Sequence, residues 1–119
     1  MSQELKDRTK ALALRIIRLA EALPPGRTAD VIGRQLLRSG TSVAANYRAA
    51  CRAKSRKDFV AKLGTVEEEC DECLFWLELL EEAEVLTGKR LADLRAEADE
   101  LLSIVVASQK TAREVRQCP

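Results

Sequence analysis

The sequence contains no histidine, the one side chain that ordinarily titrates between pH 5 and 8. Its absence removes imidazole acid–base catalysis, Ser-His-Asp and Cys-His nucleophilic arrangements, and mixed Cys/His metal sites. Aromatics are scarce as well, at 3%, too few for a β-sandwich core or for a platform on which single-stranded bases stack. Five Gly and three Pro in 119 residues leave little chain for loops. No apolar run approaches the ~18–20 residues that span a bilayer. The segment from Met1 to Arg8 is charged, where a secretory signal would be apolar. The expectation is one cytoplasmic domain without a membrane segment.

What is present points to packed helices. Apolar residues make up 46% and charged residues 33%, a composition that supports a core of modest size. Leu5, Leu12, Ile16, Leu19 and Leu23 keep the three-to-four spacing of a buried stripe. They place a first helix over about 3–23, with Arg8, Arg15 and Arg18 off the stripe. Pro24-Pro25-Gly26 stops it. A second helix is expected over 28–53, with Thr28 as N-cap and Ile32, Leu36, Val43, Tyr47 and Ala50 facing inward. Its centre, Ser39-Gly40-Thr41-Ser42, is poor in helix formers, so close packing against a neighbour must recover the loss.

Ser55-Arg56-Lys57-Asp58 is a capping-box pattern opening a third helix over 56–86. Phe59, Leu63, Val66, Cys70, Cys73, Leu77 and Leu80 form its heptad seam, and Thr87-Gly88 is read as its stop. Phe75, Trp76, Leu79 and Leu86 lie off the seam and mark a candidate subunit interface. A fourth helix over 90–114 carries Leu91, Leu94, Ala98, Leu101, Val105 and Ala112 inward, with Val115 near its end. Short connections make the fold class all-α, an antiparallel up-down-up-down four-helix bundle.

The cysteines fit a core role and no structural disulfide is expected. Cys51, Cys70 and Cys73 sit in apolar helical contexts, and Cys118 reads as a stray exposed thiol. Cys70 and Cys73 have the spacing of half a zinc or redox site, but they lie mid-helix among Glu67, Glu68, Glu69, Asp71 and Glu72, which disfavour a thiolate. Those carboxylates lack the Glu-x-x-His partners of a di-metal bundle. They read as a solvated face or as charge partners for another subunit. No enzyme, metal or cofactor is expected.

Charge is distributed unevenly behind a net value of +1. Residues 1–62 carry 14 Lys/Arg against 5 Asp/Glu, and residues 63–119 carry 6 against 14. Arg48, Arg52, Lys54, Arg56 and Lys57 crowd the end of the second helix, with Arg34 and Arg38 upstream. Cations at this density can neutralise phosphates without reading bases. Two readings stay open: a surface for RNA or DNA, or a solvated face that complements the acidic half and serves a protein-interaction scaffold.

Certain segments resemble a known family. Gln35-Leu36-Leu37-Arg38-Ser39-Gly40-Thr41-Ser42-Val43-Ala44-Ala45-Asn46 is similar to the Q-L-x-R-S-x-x-S-[IV]-x-x-N signature of the 23S rRNA intervening-sequence proteins. Ser55 to Phe59 resembles that family's S-x-x-[DE]-F, and Phe75-Trp76-Leu77 its [YF]-W-L. The likeness runs over roughly residues 5–113. The chain departs where the family reads N-x-x-E-A: Asn46-Tyr47-Arg48-Ala49-Ala50 has alanine in place of the acid. The resemblance implies a four-helix bundle assembled as a homopentamer, with no established enzymatic activity. It also implies distant kinship with the accessory variability determinant of diversity-generating retroelements, a basic pentamer that binds nucleic acid and a reverse transcriptase. Ser39, Ser42 and Asn46 match the motif, with a structural role implied.

Overall fold

Four stripes of apolar residues at helical spacing give four helices. In the computed structural model, which describes residues 2–116, they are α1 (Ser2–Glu21), α2 (Arg27–Ala50), α3 (Arg56–Glu82) and α4 (Lys89–Arg116). Cys118 and the side chain of Val115 lie outside the described residues. Each helix packs on the next, and α4 returns against α1, which closes an antiparallel up-down-up-down bundle. The bundle measures 55 × 21 × 20 Å, a length set by its 27- and 28-residue helices. The fold is all-α.

The expected inward faces are the buried ones. Leu12 and Ile16 of α1, Leu36 and Val43 of α2, Leu63 and Leu77 of α3, and Leu101 of α4 are wholly withdrawn from solvent. The α2 face holds throughout, with Ile32, Tyr47 and Ala50 also buried. The α3 seam departs at one point: Val60 is buried in place of Phe59, which is half-buried at the end of the helix. Arg8 also departs. It turns toward α4, where Nη2 and Nε bond both oxygens of Glu97 at 2.8 and 3.1 Å, clamping the α1–α4 seam.

Gly40 explains the weak helix formers in the middle of α2. A Cβ built there would stand 2.5 Å from Cδ1 and 3.3 Å from Cβ of Ile16, so hydrogen is what lets α1 lie this close. Ser39 serves the other neighbour. Its hydroxyl donates to the Gln35 carbonyl at 3.1 Å and accepts from the Cys73 thiol of α3 at 3.4 Å. Asn46 stays within its own helix, donating to the Ser42 carbonyl and hydroxyl at 2.9 and 2.8 Å. Of the three motif residues, Ser39 therefore links α2 to α3, while Ser42 and Asn46 bond to each other within α2.

The first helix ends at Glu21 rather than 23 and the second at Ala50 rather than 53, and two further helix ends differ in kind. Thr28 is not the N-cap of α2; Gly26 is, with φ of 154° and no side-chain cap. Once glycine has turned the chain after Pro24-Pro25, the helix starts immediately, and Thr28 falls inside its first turn. The third helix stops at Glu82, not at Thr87-Gly88. The Val85 and Glu84 amides donate to the carbonyls of Leu80 and Glu81 at 2.9 and 3.0 Å, the bonding pattern of a Schellman stop. The left-handed residue of that stop is Glu84, with φ of 59°. Gly88 instead precedes α4, its carbonyl accepting from the Ala92 amide at 3.2 Å. A side chain at a left-handed position costs ~1–2 kcal/mol, so Glu84→Gly should raise stability by about 1 kcal/mol, read as a higher urea midpoint with unchanged slope.

The capping pattern at α3 forms in modified shape, with Asp58 returning to the amide before the N-cap rather than to that of Ser55. Ser55 Oγ accepts from the Asp58 amide at 3.0 Å, and Asp58 Oδ2 accepts from the Lys54 amide at 3.1 Å. Lys62, bonded to the other Asp58 oxygen at 2.6 Å, is the main cause holding that carboxyl below its ordinary range. Ser55→Ala should cost ~1 kcal/mol, checked by the same denaturation.

Candidate nucleic-acid interface

Antiparallel packing brings the start of α1, the end of α2, the start of α3 and the end of α4 to one end of the bundle. The cations of the α2–α3 turn meet others there that lie far away in sequence. Arg48, Arg52, Lys54, Arg56 and Lys57 are all exposed. Among the described residues none of the five side chains has an ion-pair partner within 4 Å. Arg48 and Arg52 face Lys6 and Lys10 of α1 across a groove of about 440 Å³. Lys110 of α4 is exposed at the same end.

Arg34 and Arg38 stand apart from this group. Arg34 pairs with Asp30 of its own helix at 2.7 Å, one turn from the start of α2 and so toward the opposite end. Arg38 reaches across to α3, where it bonds both Glu69 oxygens at 3.0 and 3.3 Å and also meets Glu72. Glu72 additionally accepts from the Trp76 indole at 3.3 Å. The hydrogen bonds to Glu69 and Glu72 raise Arg38 above its ordinary pKa, and Arg38 in turn holds Glu72 below its own. Part of the acidic run is thus consumed inside the subunit. Glu67 is near Gln109, a buried α4 residue whose amide, oriented to satisfy both of its ends, donates to Glu67 at 2.7 Å and accepts from Arg113 at 3.2 Å.

The two core thiols of α3 are poor nucleophiles. Cys51, Cys70 and Cys73 are free. Burial pushes Cys70 up to about 12 and Cys73 up to about 11, so both are thiols at neutral pH. Tyr47 is raised to about 12, chiefly by burial and then by Cys51. Among the described residues no group of three or more Cys, Asp or Glu is placed to hold a metal ion. Among the described residues no helix is long and apolar enough to cross a membrane.

The off-seam residues of α3 are placed unevenly. Phe75 is 49% exposed and lies edge-on to Trp76, with ring centres 5.0 Å apart. Trp76 and Leu79 are half-buried against the core, and so is Leu86, which lies beyond the end of α3 in the connection to α4.

A family model described as 23S rRNA-intervening sequence protein matches residues 2–107. The chain belongs to this family. A similar fold is seen in a 1.70 Å crystal structure of a protein of unknown function from the S23 ribosomal protein family of Bacteroides thetaiotaomicron VPI-5482. The two share 34% identity with a TM-score of 0.85, over 92% of this chain and 97% of the other. A search of curated proteins gave no match. The family match takes in the Gln35–Asn46 motif and all the basic residues named above except Lys110 and Arg113.

The sequence reading missed Lys6 and Lys10. Their signal is nonetheless there: they are one helical turn apart, off the Leu5–Leu12 stripe, and an up-down topology sets them beside Arg48 and Arg52.

Proposed function

We propose that this family member is a non-enzymatic bundle that binds structured RNA or DNA through phosphates at its basic end. The observation that carries this reading is the convergence of Arg48, Arg52, Lys54, Arg56 and Lys57, without internal ion-pair partners among the described residues, at one end of the bundle. Arg34 and Arg38 make secondary contributions at most, because carboxylates already hold them. With so few aromatics, contacts fall on backbone and shape rather than on stacked bases. The buried, raised thiols and the absence of histidine support a binding role over a catalytic one. Low-salt gel shifts with duplex, hairpin and ribosomal RNA test this; retardation lost steeply with added salt is expected, and silence with all three would end the reading.

The same proposal includes self-association, which would multiply the basic ends presented to one nucleic acid. Its support is exposed Phe75 packed on Trp76 beside Leu79, an aromatic pair left at the surface of a chain with only four aromatics. Light scattering at micromolar concentration should give a multiple of the 13.2 kDa chain mass, five by family resemblance. A monomer mass would refute assembly. A protein-interaction scaffold is the competing reading, favoured by nucleic-acid-free material that co-purifies with a protein partner at low salt.

A further inference from the structure

We infer that the groove between the start of α1 and the end of α2 holds the phosphodiester backbone of a single strand, with Lys6 and Lys10 on one wall and Arg48 and Arg52 on the other. This rests on the proposed nucleic-acid role and names where, and in what form, the strand is held. The walls come from two antiparallel helices, and the floor between them is Ala44 and Ala45. Small floor residues leave room for a chain to lie deep between the cations. The groove's one carboxylate, Asp7, is engaged by the Gln3 amide at 3.0 Å.

Dimensions select the strand. A surface groove of about 440 Å³ has room for a short stretch of one sugar-phosphate chain, whereas a duplex is too wide to enter. Lys6 and Lys10 are one turn apart, about 6 Å along the axis, comparable with the separation of successive phosphates on an extended strand. On the facing wall stand Arg48, near the end of α2, and Arg52, in the turn just after it. A loop or unpaired end of a structured RNA therefore fits the groove, while paired regions contact only the outlying Arg56 and Lys57.

Fluorescence anisotropy at 50 mM salt, with a 12-nucleotide oligo-U strand and a 12-base-pair RNA duplex as probes, tests the inference. Lys6→Ala/Lys10→Ala is compared with Arg56→Ala/Lys57→Ala, and circular dichroism confirms that both keep the wild-type fold. The α1 pair should weaken oligo-U binding at least 10-fold and reduce the log–log salt slope by about 1.4, at ~0.7 per phosphate on single strands. The α3 pair should change oligo-U affinity less than 3-fold. If the α1 pair leaves oligo-U affinity intact while the α3 pair lowers duplex affinity, the groove assignment fails and the nucleic-acid role survives. If neither probe binds the wild-type protein, both fall. Capture of an acidic peptide but no oligo-U by the groove would likewise overturn the assignment.

Discussion

Replacing Arg48, Arg52, Arg56 and Lys57 together by alanine is expected to weaken binding to a ribosomal RNA hairpin about 100-fold, equivalent to about 2.7 kcal/mol spread over four phosphate contacts. All four are exposed, and none has an ion-pair partner within 4 Å among the described residues, so removing them leaves no buried charge uncompensated. The loss should be uniform across sequences, because phosphate contacts position a complex without reading bases. The salt slope should flatten by as much as ~3.2, from two single-strand phosphates at ~0.7 each and two paired-region phosphates at ~0.9 each. Arg38→Ala makes the contrast. Its guanidinium is committed to Glu69 and Glu72, so its loss should show mainly in stability, with affinity changed less than about 3-fold. Equal losses from Arg38→Ala and from the quadruple variant would contradict the division between committed and free cations. The measurement is anisotropy across a salt series.

Leu77→Ala is expected to remove ~2–5 kcal/mol of folding stability, a large share of the ~5–15 kcal/mol that a domain ordinarily possesses. Leu77 is wholly buried in the α3 seam. Truncation therefore forfeits both the transfer of its methyl groups and the contacts around the cavity left behind. Leu14→Ala is the control, since Leu14 is 43% exposed on α1 and should shift stability by no more than about 0.5 kcal/mol. Urea denaturation of the two variants reads the difference directly. A Leu14 effect as large as that of Leu77 would mean that α1 buries its outer face in an assembly, and light scattering of the same sample would show it.

Periodicity made the inner faces legible. Ile32, Leu36, Val43, Tyr47 and Ala50 of α2 are all buried as read, because a stripe at 3.6-residue spacing has only one way to hide. Small residues at the centre of α2 were also readable as a close approach, though the partner atom, Ile16, was not. Helix ends were harder. Thr87-Gly88 has the composition of a stop, yet the chain leaves the helix at Glu84, where amides at 84 and 85 fold back on Glu81 and Leu80. A negatively charged residue in the left-handed region carries no local sequence signal. Phe59 and Val60 were exchanged because either satisfies the spacing to Leu63, by four residues or by three. The bundle's end decides between them: Phe59 lies beside Ile104 of α4 at the rim, where a half-covered ring fits.

The basic cluster was legible as composition but not as a site. Counting by sequence halves suggested complementary faces, whereas the bundle pairs Arg38 with Glu69 and Glu72 across α2 and α3 and sends the cations of the α2–α3 turn to one end. Lys6 and Lys10 joined that end through topology alone. Clusters of charge from separate helices become visible only once the direction of each helix is fixed, which is a property of the whole chain.

A salt titration of the wild-type protein on a 23S rRNA hairpin tests the central claim most directly. Affinity falling linearly with the logarithm of salt, with a slope of about −4 to −5 for four phosphates on the unpaired loop and two on paired RNA, is the predicted result. A flat dependence, or no binding at 50 mM salt, would contradict it.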